Sequence, residues 1–192
     1  MDNGRWLKET LLLHALSRFG PLGRKTIARI LKLPEGVTRG MVDRLRREGY
    51  LQIGRLGAEL TSKGVEELCR RLAWMRLRAL KRFPGERLGV GPIAVAAHVE
   101  CMADKVTLGL EERDQAVRAG ALGAVTITYK DGVFSIPGVY RDLKMEAYDV
   151  YKTISGMFEL NDGDCILVVF GEDYWTTVEA VFTIASRAWE TA

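Results

Sequence analysis

The chain has 192 residues and a mass of 21.5 kDa, enough for two small domains or one ordinary one. With 47% hydrophobic and 28% charged residues it reads as globular, which sets aside disordered and collagen-like classes. The net charge of +3 conceals a split: residues 1–87 hold 20 Lys+Arg against 9 Asp+Glu, a balance of +11, and residues 88–192 hold 8 against 16, a balance of −8.

A basic part fused to an acidic part suggests a polyanion-binding module joined to something that must not bind polyanions. The longest apolar run, residues 88–99, is interrupted by Pro92 and too short to cross a bilayer. The first residues lack the pattern of a signal peptide. Cys69, Cys101 and Cys165 have no paired spacing, which excludes a disulfide scaffold and a four-cysteine zinc site. These features predict a soluble cytoplasmic protein without a membrane partner. Asn occurs at positions 3 and 161 and Gln at 52 and 115, an amide depletion that fits a thermophile.

Along the chain, residues 6–19 carry a helical stripe of Leu7, Leu11, Leu12, Ala15, Leu16 and Phe19, stopped by Gly20-Pro21-Leu22-Gly23. A second helix is expected over 24–33. Pro34-Glu35-Gly36 reads as a turn, and Thr38 as the N-cap of a third helix running to Glu48. A strand at 50–53, a turn Gly54-Arg55-Leu56-Gly57 and a returning strand at 58–61 follow. A long helix is then expected from residue 62 to 83. Helix-turn-helix followed by a hairpin is the winged-helix arrangement.

The phrase YLQIGRLGAELTSKG, residues 50–64, resembles the wing and exit of archaeal and bacterial winged-helix transcription regulators, in which a Leu-Thr-x-x-Gly step leaves the second wing strand. On that pattern the third helix is the recognition helix. Thr38, Arg39, Gly40, Asp43, Arg44 and Arg47 are its expected DNA-binding residues, with Arg39, Gly40, Asp43, Arg44 and Arg47 turned outward. Arg55 at the wing tip, and Arg24 and Lys25 at the start of the second helix, are expected to meet phosphate or a minor groove. In the long fourth helix Val65, Leu68, Leu72, Met75 and Ala79 step by three and four. That seam is expected to pair with its twin in a homodimer.

Two prolines and three glycines over residues 83–92 mark a boundary. The expected domains are therefore 1–83 and 93–192, with a linker at 84–92. Beyond it the pattern predicts a strand at 93–99, a helix at 108–119, a hairpin around Lys130-Asp131-Gly132, a helix at 143–156, a strand at 165–170 and a last helix at 174–189. This β-α-β-β-α-β-α order is a two-layer α+β domain of split βαβ type. The segments 109–132 and 136–138 resemble an uncharacterised domain fused to winged helices in a family of archaeal transcription regulators. Such domains have been likened to a small α+β domain of bacterial aspartyl-tRNA synthetases and amidotransferase subunits, and the resemblance carries over no catalytic or binding residue.

The chemistry-bearing residues of this half are sparse. His14 and His98 stand one in each domain, and no metal, nucleotide or nucleophile motif accompanies them. No catalytic residue, metal ligand or cofactor is expected. Glu111, Glu112 and Asp114 spread around their helix and are expected to face water. A small-molecule effector site is expected from Asp104, Lys105, Arg113, Asp114, Gly120 and Gly123. The sequence thus points to a regulator that binds double-stranded DNA. An RNA- or tRNA-associated factor, and a small-molecule enzyme of the C-terminal domain, are the alternatives.

Overall fold

A computed structural model of the protein describes residues 3–84 and 91–190. Residues 85–90, most of the expected linker, lie outside the described residues. The chain divides after Leu72 into two compact units.

The N-terminal unit begins with helices α1 (Asn3–Phe19), α2 (Arg24–Leu31) and α3 (Glu35–Arg47). The hairpin β1 (Leu51–Gly54) and β2 (Gly57–Leu60) follows, and then α4 (Ser62–Trp74). Leu11, Leu12 and Leu13 of α1, Ile27 and Leu31 of α2, and Leu45 of α3 are fully buried, so the three helices share one core. The hairpin pairs Leu51 with Leu60 and Gly54 with Gly57. It gains a third, minimal strand where Leu22 and Ala58 exchange both backbone hydrogen bonds, at 2.9 and 3.0 Å. A side chain at Gly57 would bring its Cβ within 2.4 Å of the Leu22 carbonyl oxygen, so that close approach requires glycine.

The Leu-Thr-x-x-Gly exit has an equally specific cause. Thr61 Oγ1 donates to the Gly49 carbonyl at 2.6 Å and accepts from the Gly64 N–H at 3.1 Å, capping α4. A Cβ at Gly64 would lie 2.1 Å from the Tyr50 carbonyl oxygen.

Two expectations about these helices need correction. Helix α3 starts at Glu35 and not at Thr38. Pro34, with ψ near 145°, stays outside the helix where its missing N–H does no harm. Glu35 then occupies the first turn, where a carboxylate suits the helix dipole. The second correction concerns α4, which ends at Trp74. Arg76 adopts φ 53°, and Leu77–Arg82 forms a strand, β3, in the second unit. Val65, Leu68, Leu72, Met75 and Ala79 therefore do not form one helical seam. Val65 is exposed, Leu68 and Met75 are buried, Leu72 is half-buried, and Ala79 packs from β3 against the sheet core.

The C-terminal unit is an α+β domain on a five-stranded sheet ordered β3-β4-β7-β5-β6, antiparallel between every pair of neighbours. Strands β4 (Ile93–Val99), β5 (Gly123–Lys130), β6 (Val133–Ser135) and β7 (Cys165–Gly171) follow the expected chain order, with β3 as an added edge. On one face, Ala94, Ala96, Ile127, Ile166, Val168 and Phe170 pack with Leu143 of α6 (Leu143–Glu146) and with Val150 and Ile154 of α7 (Tyr148–Met157). The alternate residues Val95, Ala97, Leu167 and Val169 point to the other face and are fully buried. Helices α8 (Tyr174–Glu190) and α5 (Leu110–Arg118) pack on these strands and on each other.

The edge strand changes the charge division. Arg76, Arg78, Lys81 and Arg82 belong to the sheet domain, so residues 1–72 hold 15 Lys+Arg against 8 Asp+Glu, or +7, and residues 73–192 hold 13 against 17, or −4. Charges on an edge strand also discourage pairing with another sheet. No described helix is long and apolar enough to cross a membrane.

Candidate nucleic-acid interface

Helix α3 buries Thr38, Met41, Val42 and Leu45. A period of 3.6 then turns Gly36, Gly40, Asp43 and Arg47 outward along one line, with Arg39 beside it. Arg39 is 70% exposed and lies 3.7 Å from Asp43. The Arg47 Nε donates to the Asp43 carbonyl at 3.4 Å. Helix interiors disfavour glycine by roughly 1 kcal/mol against alanine, yet a Cβ at Gly40 would meet nothing within 4 Å, as at Gly36 in the first turn. Nothing inside the unit explains Gly40.

Two expected contacts are placed otherwise. Thr38 is 1% exposed, and its hydroxyl donates back to the Pro34 carbonyl at 3.1 Å. Its side chain is a helix-interior group with no face to offer DNA. Arg44 turns toward α1, pairs with Glu9 and lies 3.9 Å from Glu48. Its expected outward position is corrected by the neighbouring carboxylate.

Glu9 joins a larger cluster that fixes α3 against α1 and α4. Arg71 is 5% exposed, donates to Glu67 at 2.6 Å and approaches Glu9 at 3.4 Å. Its remaining donors reach the Trp6 carbonyl and the Thr10 hydroxyl, both at 3.2 Å, and its guanidinium stacks on the Trp6 ring at 5.3 Å. Arg70 and then Arg71 hold the Glu67 carboxyl below its usual range against the opposing effect of burial. The α3 C-terminus is tied down by Lys63, whose ammonium donates to the Glu48 carbonyl at 2.8 Å.

The wing presents Arg55 at its tip, exposed, beside Leu56 at 78% exposure. Arg24 and Lys25 are exposed in the first turn of α2. Arg24, Lys25, Arg39, Arg47 and Arg55 therefore belong to exposed positions of one unit. Sequence reasoning missed Gly36 and Val37, the latter 53% exposed in the first turn of α3. Reading Pro34-Glu35-Gly36 as a turn excluded both, although Glu35 after a proline was an available start signal.

In the sheet domain neither of two hollows holds more than two of the six expected effector residues. Asp104 pairs with Lys130 at 2.7 Å. Arg113 and Asp114 pair with each other at 3.0 Å beside a shallow depression with Val117, Arg118 and Leu122. Gly120 ends α5 at φ 91°, and Gly123 opens β5. Lys105 lines a separate hollow. His98 is buried and meets the Asp164 carboxylate at 2.8 Å. Burial opposes the Asp164 charge, but the Asn161 and Cys101 N–H groups and His98 hold its carboxyl below the usual range.

The model of the CggR N-terminal DNA binding domain matches residues 8–75. The model of a domain of unknown function, DUF4443, matches residues 90–188. A solved structure described as a hypothetical protein from Pyrococcus horikoshii OT3 is similar over 96% of this chain and 93% of its own, with a TM-score of 0.70 and 23% identity. That likeness bears on the fold. No curated protein matches the chain.

Proposed function

The chain belongs to the DUF4443 family, and from the DNA-binding-domain match of its N-terminal unit we propose a sequence-specific DNA-binding transcription regulator. The observation that carries this reading is the outer line of α3. Two glycines with open space above them allow the backbone to approach a groove, and Arg39 and Arg47 flank that approach with donors suited to guanine O6 and N7. Arg55 and Leu56 on the wing reach an adjacent minor groove or phosphate, and Arg24 and Lys25 hold the backbone. This is the reading to which the resemblance to archaeal winged-helix regulators also leads, and it needs no catalytic step.

The sheet domain is the sensing or dimerising body of the regulator. A homodimer belongs to the proposal because one winged helix offers few base contacts and two linked copies gain effective concentration. The site of action is the cytoplasm.

A mobility-shift titration of the full chain on duplex DNA tests the proposal. Three phosphate-neutralising cations per protomer, Arg24, Lys25 and Arg55, predict a slope of log affinity on log salt of about −2.7, doubled for the homodimer. Arg39→Ala and Arg47→Ala should each cost about 1–3 kcal/mol on the preferred site and less on random duplex. A flat salt response, or unchanged affinity in the double variant with its helical circular dichroism intact, overturns the reading.

A further inference from the structure

Between the 3-10 turn Ala103–Lys105, α5 and α8 lies a hollow of about 110 Å³, lined among others by Met102, Lys105, Glu112, Gln115, Ile184 and Arg187. That volume is the share of about four liquid water molecules. Glu112, expected from sequence to face water, is 8% exposed. It has no cation beside it and no hydrogen bond to another residue's side chain among the described residues. Its charge reaches inward: burial first, and Glu112 next, hold the Cys165 thiol protonated at the start of β7. Gln115, also 8% exposed, donates its amide to Glu111 at 3.3 Å and leaves its carbonyl oxygen without a partner among the described residues.

The Glu112 carboxyl accepts only its own backbone N–H and the Gln115 carbonyl oxygen accepts nothing among the described residues, so the hollow offers two acceptors and no donor from a neighbouring side chain to meet them. Buried polar groups with no partner are rare enough in folded proteins to require a reason. Two cations stand at the same hollow. Lys105 is braced at 4.6 Å over the Trp189 ring. That ring is itself fixed by an Nε1–H bond to the Met75 carbonyl at 3.2 Å and by the Arg76 guanidinium at 4.1 Å. Arg187 is exposed and lines the rim. The described residues contain no group of three acidic, histidine or cysteine side chains able to hold a metal.

We infer that this hollow binds a small zwitterion, an α-amino acid of the size of glycine, alanine or serine, with its ammonium on Glu112 and its carboxylate toward Lys105 and Arg187. The Gln115 carbonyl oxygen is the second acceptor for the ammonium. Met102 and Ile184 form apolar walls that leave room for a methyl group and not for a large side chain. The inference rests on the sensing role proposed for the sheet domain and gives that role a ligand class.

Calorimetric titration of the full-length protein with glycine, L-alanine, L-serine, L-leucine and L-phenylalanine, without DNA, is the test. Ethylamine and propionate serve as probes that each lack one charge of alanine. At least one of the three small amino acids should bind, and ethylamine and propionate should be weaker by about tenfold or more. Glu112→Gln should reduce affinity by about thirtyfold or more, while leaving the ligand-free melting temperature equal or higher. Arg187→Met and Lys105→Met, at exposed positions that folding tolerates, should each weaken binding by about tenfold.

No heat and no thermal shift with any of the five amino acids at about 10 mM means a water-filled hollow and overturns the assignment. Undiminished binding in Glu112→Gln, or equal binding of ethylamine, does the same. Failure of the DNA titration leaves this result untouched, and a protein that shifts DNA but ignores amino acids leaves the regulator reading standing.

Discussion

In the N-terminal unit Arg71 lies 5% exposed among two carboxylates, a hydroxyl and a carbonyl, whereas in the sheet domain Glu112 lies 8% exposed with no cation beside it. The first charge is fully engaged within its own unit and ties α4 to α1. Through Glu9 it also reaches Arg44, and so orients α3. The second lines a hollow that Lys105 and Arg187 also line, neither of them in contact with it. Burying a charge is costly unless paired. The difference therefore separates a group whose role is complete in the folded chain from one whose role needs something else. Engaged buried charge marks the scaffold of the interface; unengaged buried charge marks a place for a ligand.

The largest expected effect breaks this comparison from the scaffold side. Arg71→Met removes the buried cation that bridges Glu9 and Glu67, leaving Glu9 to Arg44 and Glu67 to the exposed Arg70, which should lower the stability of the N-terminal unit by about 3 kcal/mol. Hydrogen exchange should accelerate in α1, α3 and α4 and stay unchanged in β4 and β7. Glu112→Gln should do the reverse, leaving β4, β7 and α5 equally or better protected. Similar losses in both variants would remove the distinction between the two charges.

A smaller effect comes from pH, where the units should respond with opposite sign. Burial, with help from the Arg18 charge, lowers His14 from 6.5 to about 4. The unfolded chain therefore binds the extra proton first, and stability from His14 is present above pH 6.5 and lost as pH falls toward 4. The loss is on the order of 2 kcal/mol. Burial raises the Glu112 carboxyl, so there the folded state binds the proton first, and the sheet domain gains stability as pH falls through that raised value. Exchange of α1 and α5 amides followed from pH 7 down to pH 4.5 should diverge. His14→Gln should flatten the α1 response, and parallel acid loss in both units would contradict the sign for Glu112.

How far all this was legible depends on whether the cause is local. Strand β4 spans Ile93–Val99, the span that its near-continuous apolar run implies, and Asp131-Gly132 turns the β5–β6 hairpin as that dipeptide should. The wing was readable because its two strands pair across a two-residue turn, and its exit because Thr61 caps the N–H of Gly64 three residues on. The end of α4 was not. Leu, Arg, Ala and Lys after Met75 are good helix formers, and the left-handed turn is made at Arg76 with no glycine or asparagine to announce it. Pairing of Leu77–Arg82 with β4 overrides that preference, and pairing is a non-local fact. The inward turn of Arg44 was hidden for the same reason, since Glu9 lies on another helix. Glu112 was misread because three acidic residues on a short helix look solvated until the partner helix is known.

The smallest expected effect sharpens the comparison at the interface itself, where stability and function should part. Gly40 sits inside α3 with ordinary helical backbone, exposed, and with nothing within 4 Å of an added Cβ. Gly40→Ala should therefore stabilise the unit by about 0.5–1 kcal/mol, through the lower conformational freedom of the unfolded chain and the better helix propensity. If α3 docks in a groove along the Gly36–Gly40 line, the same methyl group stands between backbone and DNA, and affinity should fall even as the melting temperature rises. Gly36→Ala, one turn earlier on that line, should behave alike. Ser62→Ala, at an exposed position on α4, is the control and should leave DNA affinity unchanged. A Gly40→Ala protein that is more stable and binds DNA as well as before would mean that DNA, too, leaves that glycine unexplained, and that α3 meets it along another side.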